Sequence, residues 1–261
     1  MGTIRPGGPR SRVASKIDRV LATALSGDPR VVLDVKAPEL LAEAASVSQV
    51  ISSALDRAGS ALAAQLTVTQ TFRRGGVEAE LIDSLAHQDP AVRIAAARLC
   101  GALRLPDAIP WLGDLLDDPS PEVRDAAARS LGRAGGRRAV ESLVAHADRL
   151  PMHRVAIEVS RAASDVDLET LLRETPTRVM VIMASGLRRD ALRTPHLVRM
   201  AQDRQCETPI RVAACRALAM IGDPVGADAL RILGSDSDVT VRTASIRARM
   251  RISAAIRKRN Q

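Results

Sequence analysis

The sequence predicts an all-α fold, a right-handed α-solenoid of stacked helix pairs. Three observations predict it. One phrase of small residues and arginines recurs as "DPAVRIAAARLCGAL", "SPEVRDAAARSLGRAGG", "TPIRVAACRALAMIG" and "SDVTVRTASIRARM". Its marker arginines are Arg93, Arg124, Arg211 and Arg242, with weaker copies at Arg154 and Arg178. They follow at steps of 31, 30, 24, 33 and 31, a period of about 31. A fixed period of about 20 to 50 residues is the mark of stacked repeat units. The third observation is the near absence of aromatics. Phe72 and Trp111 stand alone, with no tyrosine, although 46% of the 261 residues are apolar. A core of Leu, Ala, Val and Ile suits close-packed helices. It suits strands poorly, because strands favour aromatic and β-branched side chains.

Taken in order, residues 1–15 open with Gly, Pro and Arg and read as a disordered basic tail. Residues 16–75 hold helical apolar spacing in "KIDRVLATAL" and "ELLAEAASVSQVISSALDRAGSALAAQL" but lack the repeated phrase. They read as a helical cap region, since terminal units of a solenoid are atypical. Residues 76–253 carry the repeats, and residues 254–261 read as a basic C-terminal tail.

Each repeat has the same parts. A helix A, such as "AIPWLGDLL" or "GADALRIL", leads into a polar turn, such as "DDPS" or "GSDS". A capping residue and helix B follow. The expected caps are Asp89, Ser120, Thr175, Thr208 and Asp238, whose oxygens can accept from free N–H groups of the first turn. Pro90, Pro121, Pro151, Pro176 and Pro209 recur where helix B starts, and there a missing N–H costs nothing. Small residues such as Ala95 and Ala96, Ala126 and Ala127, Ala213 and Ala214 let neighbouring units approach. The marker arginine lies one turn past the cap and is expected to bind the acids and carbonyls of the turns, a structural role.

Charge separates the ends from the body. Residues 1–16 carry four basic residues and residues 247–261 carry six, with no acid in either, whereas residues 17–246 hold 28 basic against 30 acidic residues. The net charge of +8 therefore belongs to the ends. A nucleic-acid groove would make the body basic. Basic ends instead point to contacts with nucleic acid or an anionic membrane surface through the termini. The cysteines Cys100, Cys206 and Cys215 are odd in number and lack metal-type spacing, and two of them replace small core residues. They imply a reducing, cytoplasmic setting. No apolar run is long enough for a transmembrane segment, and no secretory leader is visible.

The phrase "LGDLLDDPSPEVRDAAARSLGRAG" resembles HEAT repeats of the subclass named after phycobilisome lyases, and the resemblance covers about residues 76–253. It implies the solenoid fold and the placement of helix B on the concave side. The combination of residues 17–75 with "GVEAELIDSLAHQDPAVRIAAARL" also resembles a bacterial HEAT family that carries an N-terminal membrane anchor and is often encoded beside membrane glycosyltransferases. This chain departs from it in lacking the anchor. Three enzymatic families of similar repeats bear on function. The deoxyhypusine hydroxylases mark metal ligands as His-Glu pairs, but His87, His146, His153 and His196 are followed by Gln88, Ala147, Arg154 and Leu197. The alkylpurine DNA glycosylases use a basic face with aromatics, which this neutral body lacks. A phycobilin lyase must hold a tetrapyrrole, and no aromatic pocket cluster is visible. The reading is accordingly non-enzymatic, with no metal and no cofactor.

Within helix B, the residue after the marker arginine and the one four later share a face that stacking does not need. The second position runs Arg98, Arg129, Val159, Met183, Arg216 and Arg247. Arginines flank an apolar centre, which is the composition of a protein-binding groove with anchors inside and charges on the rim. These six residues are the candidate partner-binding row, and all are expected to be exposed. Trp111, at the start of a helix A, is a candidate interface anchor. The expected function is a scaffold that grips another protein, with nucleic-acid binding through the arginine row and termini as the alternative and chromophore handling as a further one.

Overall fold

The marker arginines organise the fold. The computed structural model describes residues 12–28, 31–59, 62–163 and 178–259, the last five as backbone alone. Among the described residues there are helices and turns but no strands. They form two compact units, 1–142 and 143–261. The expected N-terminal tail up to residue 11, Thr175 and Pro176 lie outside the described residues.

The first unit contains α1 (Arg12–Leu25), α2 (Ala37–Ala42), α3 (Ala44–Arg57) and α4 (Leu62–Arg74). It continues with α5 (Val77–Asp83), α6 (Pro90–Leu103), α7 (Ile109–Asp114) and α8 (Pro121–Ala134), and the boundary falls inside α9 (Arg137–Ala145). Helix α1 packs on α3, α3 on α6 and α6 on α8. The N-terminal helices thus extend the helix-B stack although they lack its phrase. Their polar groups close its end, because Gln65 Nε2 and Thr69 Oγ1 both donate to the Leu103 carbonyl, at 2.8 and 3.2 Å. Phe72 is fully buried in α4.

The second unit contains α10 (Met152–Ala162), α11 (Arg178–Arg188), α12 (Thr194–Gln202), α13 (Thr208–Ile221), α14 (Pro224–Ile232) and α15 (Val239–Arg259). Helices α10, α11, α13 and α15 stack successively, with α12 and α14 alongside. The backbone of α15 runs through residues 254–259, which the sequence reading assigns to a tail.

Helix starts follow the capping chemistry, with two changes. Asp89 accepts from the Ala91 amide at 2.8 Å, and Ser120 Oγ from that of Val123 at 3.4 Å. Asp238 Oδ1 accepts from the amides of Thr240 and Val241. Thr208 is not a cap. It is the first residue of α13, and its hydroxyl donates to Asp238 Oδ2 at 2.5 Å, so it ties α13 to the turn ahead of α15. Pro151 also differs, preceding α10 as its N-cap instead of opening it.

The marker arginines Arg93 and Arg211 form the expected ladder, one in each unit, each through an aspartate of the turn 25 residues on. Arg93 makes a two-pronged pair with Asp118, at 2.8 and 3.0 Å, and donates to the carbonyls of His87 and Gln88. Arg211 pairs with Asp236, its Nη2 at 2.5 Å from Oδ2, and donates to the Ala201 carbonyl. Asp118 and Asp236 each also accept from the amide two residues on, which fixes the turn. The next arginines, Arg124 and Arg242, donate to the carbonyls of those same aspartates. Planar guanidinium forks suit this pairing, and burial makes each pair matter.

Close packing of the stack is set by glycine. A Cβ on Gly101 of α6 would lie 2.6 Å from Ser130 Cα of α8, and one on Gly186 of α11 would lie 2.7 Å from Ala217 Cα of α13. Both glycines stand eight residues past a marker arginine, Arg93 and Arg178 respectively. The absence of a side chain at this position brings the two backbones together.

Candidate functional site

The residues left over by this packing are those on the outer edge of helix B. Arg98, Arg129, Arg216 and Arg247 are exposed. Val159 departs from the expectation of exposure. It is fully buried, together with Val155, Ala156 and Ala162 of α10. An arginine at this register keeps its guanidinium in water and holds the helix edge open. A valine there gains by leaving water and joins the buried stripe of α10. That stripe also encloses Glu158, paired with Arg161 at 2.9 Å and with Arg154 at 3.5 Å. Met183 is half-buried.

Each unit has one groove built from these positions. In the first unit a groove of about 540 Å³ gathers Arg98, Arg129 and Arg133, with Ile94, Ala45 and Ser48. It also contains Glu122 and Asp125, and Asp125 pairs with Arg129 at 2.9 Å. Its charge is therefore answered from within. Glu122 is held below the usual carboxylate range, chiefly by the hydroxyl of Ser120, which donates to it.

In the second unit a groove of about 570 Å³ gathers Met183, Arg216 and Arg247 with Val212, Ala219, Met220, Thr243 and Arg251. Helix α11 contributes Met183, α13 the stripe Val212–Arg216–Met220, and α15 the stripe Thr243–Arg247–Arg251. The two stripes are i, i+4 series, so each lines a single helix face. The groove has an apolar floor and three exposed arginines, and among the described residues no carboxylate lines it. None of the three has an ion pair with a described residue, in contrast to Arg129 in the first unit.

Of the expected row, then, Arg98 and Arg129 come together in one groove, and Met183, Arg216 and Arg247 in another. Val159 joins neither. Trp111 is about half exposed, at 49%, but sits on α7 in the helix-A layer and lines neither groove. Sequence reasoning missed Arg251 and Met220. Both lie one turn beyond row positions, so extending each i, i+4 pair by one step would have found them. Ser48 and Ala45 of α3 carried no such signal, because α3 lacks the phrase.

Among the described residues, no three of the His, Cys, Asp and Glu side chains are grouped so as to hold a metal ion. No described helix is long and apolar enough to cross a membrane. Burial pushes the Cys100 thiol up to about 12 and the Cys215 thiol up to about 11, which leaves both protonated in the core.

No curated protein matches the sequence. Among solved structures, the chain is similar to human deoxyhypusine hydroxylase in complex with glycerol, with 16% identity over 93% of this chain and 97% of that one and a TM-score of 0.31. It is similar to a designed armadillo repeat protein, with 17% identity, coverage of 90% and 99%, and a TM-score of 0.38. It is also similar to the CpcE–CpcF complex of phycocyanin lyase from Nostoc sp. PCC7120, with 17% identity, coverage of 97% and 99%, and a TM-score of 0.36. The family model for HEAT repeats matches residues 78–162, which span α5 to α10 and include the Arg93–Asp118 ladder. That match lies inside an all-helical stack of arginine-marked pairs, and residues 78–162 of this chain are HEAT repeats.

Proposed function

We propose that this protein is a non-enzymatic scaffold that binds another protein along the exposed edge of its B helices. One observation carries the reading. The repeats devote their alanines, glycines and marker arginines to stacking, yet they hold a second set of arginines in water beside open apolar grooves. Exposed arginines over an apolar floor match the anatomy of a protein interface, with buried anchors and a polar rim. HEAT repeats as a class serve protein interaction, which supports the same reading. The finer placement, in the cytoplasm and at a membrane-associated complex, belongs to this proposal as well.

Site-specific photocrosslinking in cells tests it. A photoreactive residue at position 129 or 243 samples the two grooves, and one at position 228, a strongly exposed residue of α14, serves as the control. Protein adducts are expected from 129 and 243 in excess of 228. Equal yields from all three positions would remove the B-helix edge as the binding surface, and adducts to nucleic acid in place of protein would favour the alternative reading.

A further inference from the structure

The two grooves each hold three arginines but differ in how far carboxylates offset them, and the difference names a ligand. In the first unit the arginines share their groove with Glu122 and Asp125. In the second, Arg216, Arg247 and Arg251 face a groove that no carboxylate of the described residues lines. Three like charges on neighbouring helix faces repel one another, and an arrangement of this kind is relieved when an anionic partner enters. The floor between them is Met183, Val212 and Met220. Two methionines make such a floor adaptable to different apolar side chains. A phosphate backbone would use the arginines but leave this floor without a partner, and no aromatic residue offers a base a stacking platform. An apolar ligand without charge would leave the arginines unanswered.

We infer that the groove of the second unit binds an acidic amphipathic segment of a partner protein. Its apolar side chains enter between α11, α13 and α15 onto Met183 and Met220, and its carboxylates pair with Arg216, Arg247 and Arg251. A helix with apolar residues at i, i+3 and i+4 and acids at its flanks meets both requirements at once. The first unit's groove, where Asp125 and Glu122 offset two of the three arginines, selects for acid less strongly. This inference rests on the scaffold reading and assigns that reading's charge-selective contact to one of the two grooves.

Fluorescence anisotropy on the purified full chain tests it with three labelled probes: an acidic peptide with leucines at helical spacing, a scrambled peptide of the same composition, and single-stranded oligo-dT. The patterned peptide is expected to bind at least about tenfold more tightly than either other probe, with affinity that falls as salt rises. Arg216→Gln with Arg247→Gln should weaken it at least about tenfold, whereas Arg98→Gln with Arg129→Gln should leave it unchanged. Met183→Asp should also abolish binding. Because Met183 is half-buried and its variant could unfold, Thr243→Glu is the second variant: Thr243 is exposed, and the new carboxylate occupies the arginines without disturbing the core. Scrambled peptide or oligo-dT binding as tightly as the patterned peptide would overturn the inference, as would indifference to the Arg216/Arg247 pair or to Thr243→Glu, or no binding at all. If peptide binding fails while crosslinks at position 129 persist, the groove assignment is wrong and the scaffold stands. If crosslinks fail at both groove positions, the scaffold reading itself falls.

Discussion

At the scale of single residues, the arginines divide by register into two kinds. Arg211 is 4% exposed and Asp236 7%, and each satisfies the other. Removing one partner of such a pair leaves a charge buried without an answer, so Arg211→Met should cost about 3–5 kcal/mol in urea unfolding. The exposed Arg216→Met, five residues along the same helix, should fall within about 0.5 kcal/mol of wild type. The pair also predicts an acid dependence. The hydrogen bond from Arg211, with help from the Asp238 amide, holds the Asp236 carboxyl below its usual range. A carboxyl whose folded value is depressed contributes stability that is complete above the unfolded value, about 4, and is lost as pH falls through the lower folded value. The difference in stability between wild type and Asp236→Asn should therefore shrink as pH drops from about 6 to about 3. A constant difference would mean the carboxylate is not favoured by folding. The thiols offer a second check on burial. Cys100 and Cys215 are buried and protonated, whereas Cys206 is partly exposed and donates to Asp203 at 3.4 Å. One thiol should react with a chromogenic disulfide in the native protein and three in denaturant, and two fast native thiols would show that α6 or α13 is open.

At the scale of helices, packing depends on positions where a side chain is missing. Gly101→Ala and Gly186→Ala would each place a Cβ under 3 Å from the backbone of the facing helix. Alanine is the better helix former by about 1 kcal/mol, so propensity alone predicts stabilisation. Overpacking against a backbone that cannot rotate away costs about 1–3 kcal/mol and should win, giving lower thermal midpoints for both variants. Midpoints at or above wild type would show that the helices do not meet this closely. Much of this level is legible in the sequence. Periodicity, prolines and capping oxygens place the B helices, and the arginine spacing foretells the ladder, because these signals are local or repeat at a fixed interval. Val159 escapes that logic for a physical reason. Its register matches the exposed arginines, but burial depends on side-chain chemistry as well as register, and a valine on that edge prefers the core. Thr208 escapes it in another way, since it lies inside the first turn of α13 and its hydroxyl donates to Asp238, thirty residues on, where a cap oxygen would accept. The role of α3 beside α6 leaves no pattern in the sequence, because it arises only from packing.

At the scale of the whole molecule, charge is arranged by place and not merely by amount. The ends hold ten of the 38 basic residues and none of the 30 acidic ones, and the body between them is slightly acidic. Any salt-sensitive binding of nucleic acid or anionic membrane should therefore come from the ends. Deleting them is a poor test. Helix α1 begins at Arg12 and buries Ala14, while α15 buries Ala248 and Ile252, so truncation to residues 17–246 would remove core together with Arg247 and Arg251 of the second unit's groove. Substitution in the full chain separates charge from packing. Arg5, Arg10, Arg257, Lys258 and Arg259 changed together to Gln remove five charges and leave the groove arginines untouched. Each phosphate that is no longer neutralised should lower the slope of log affinity against log salt by about 0.7–0.9, so oligonucleotide binding should weaken and become clearly less salt-dependent. Binding of the acidic peptide should persist, because Arg216, Arg247 and Arg251 remain. If the variant instead keeps tight, salt-sensitive oligonucleotide binding, the arginines of the B helices are themselves a nucleic-acid surface. In that case the neutral average of the body would conceal a local field strong enough to bind phosphate.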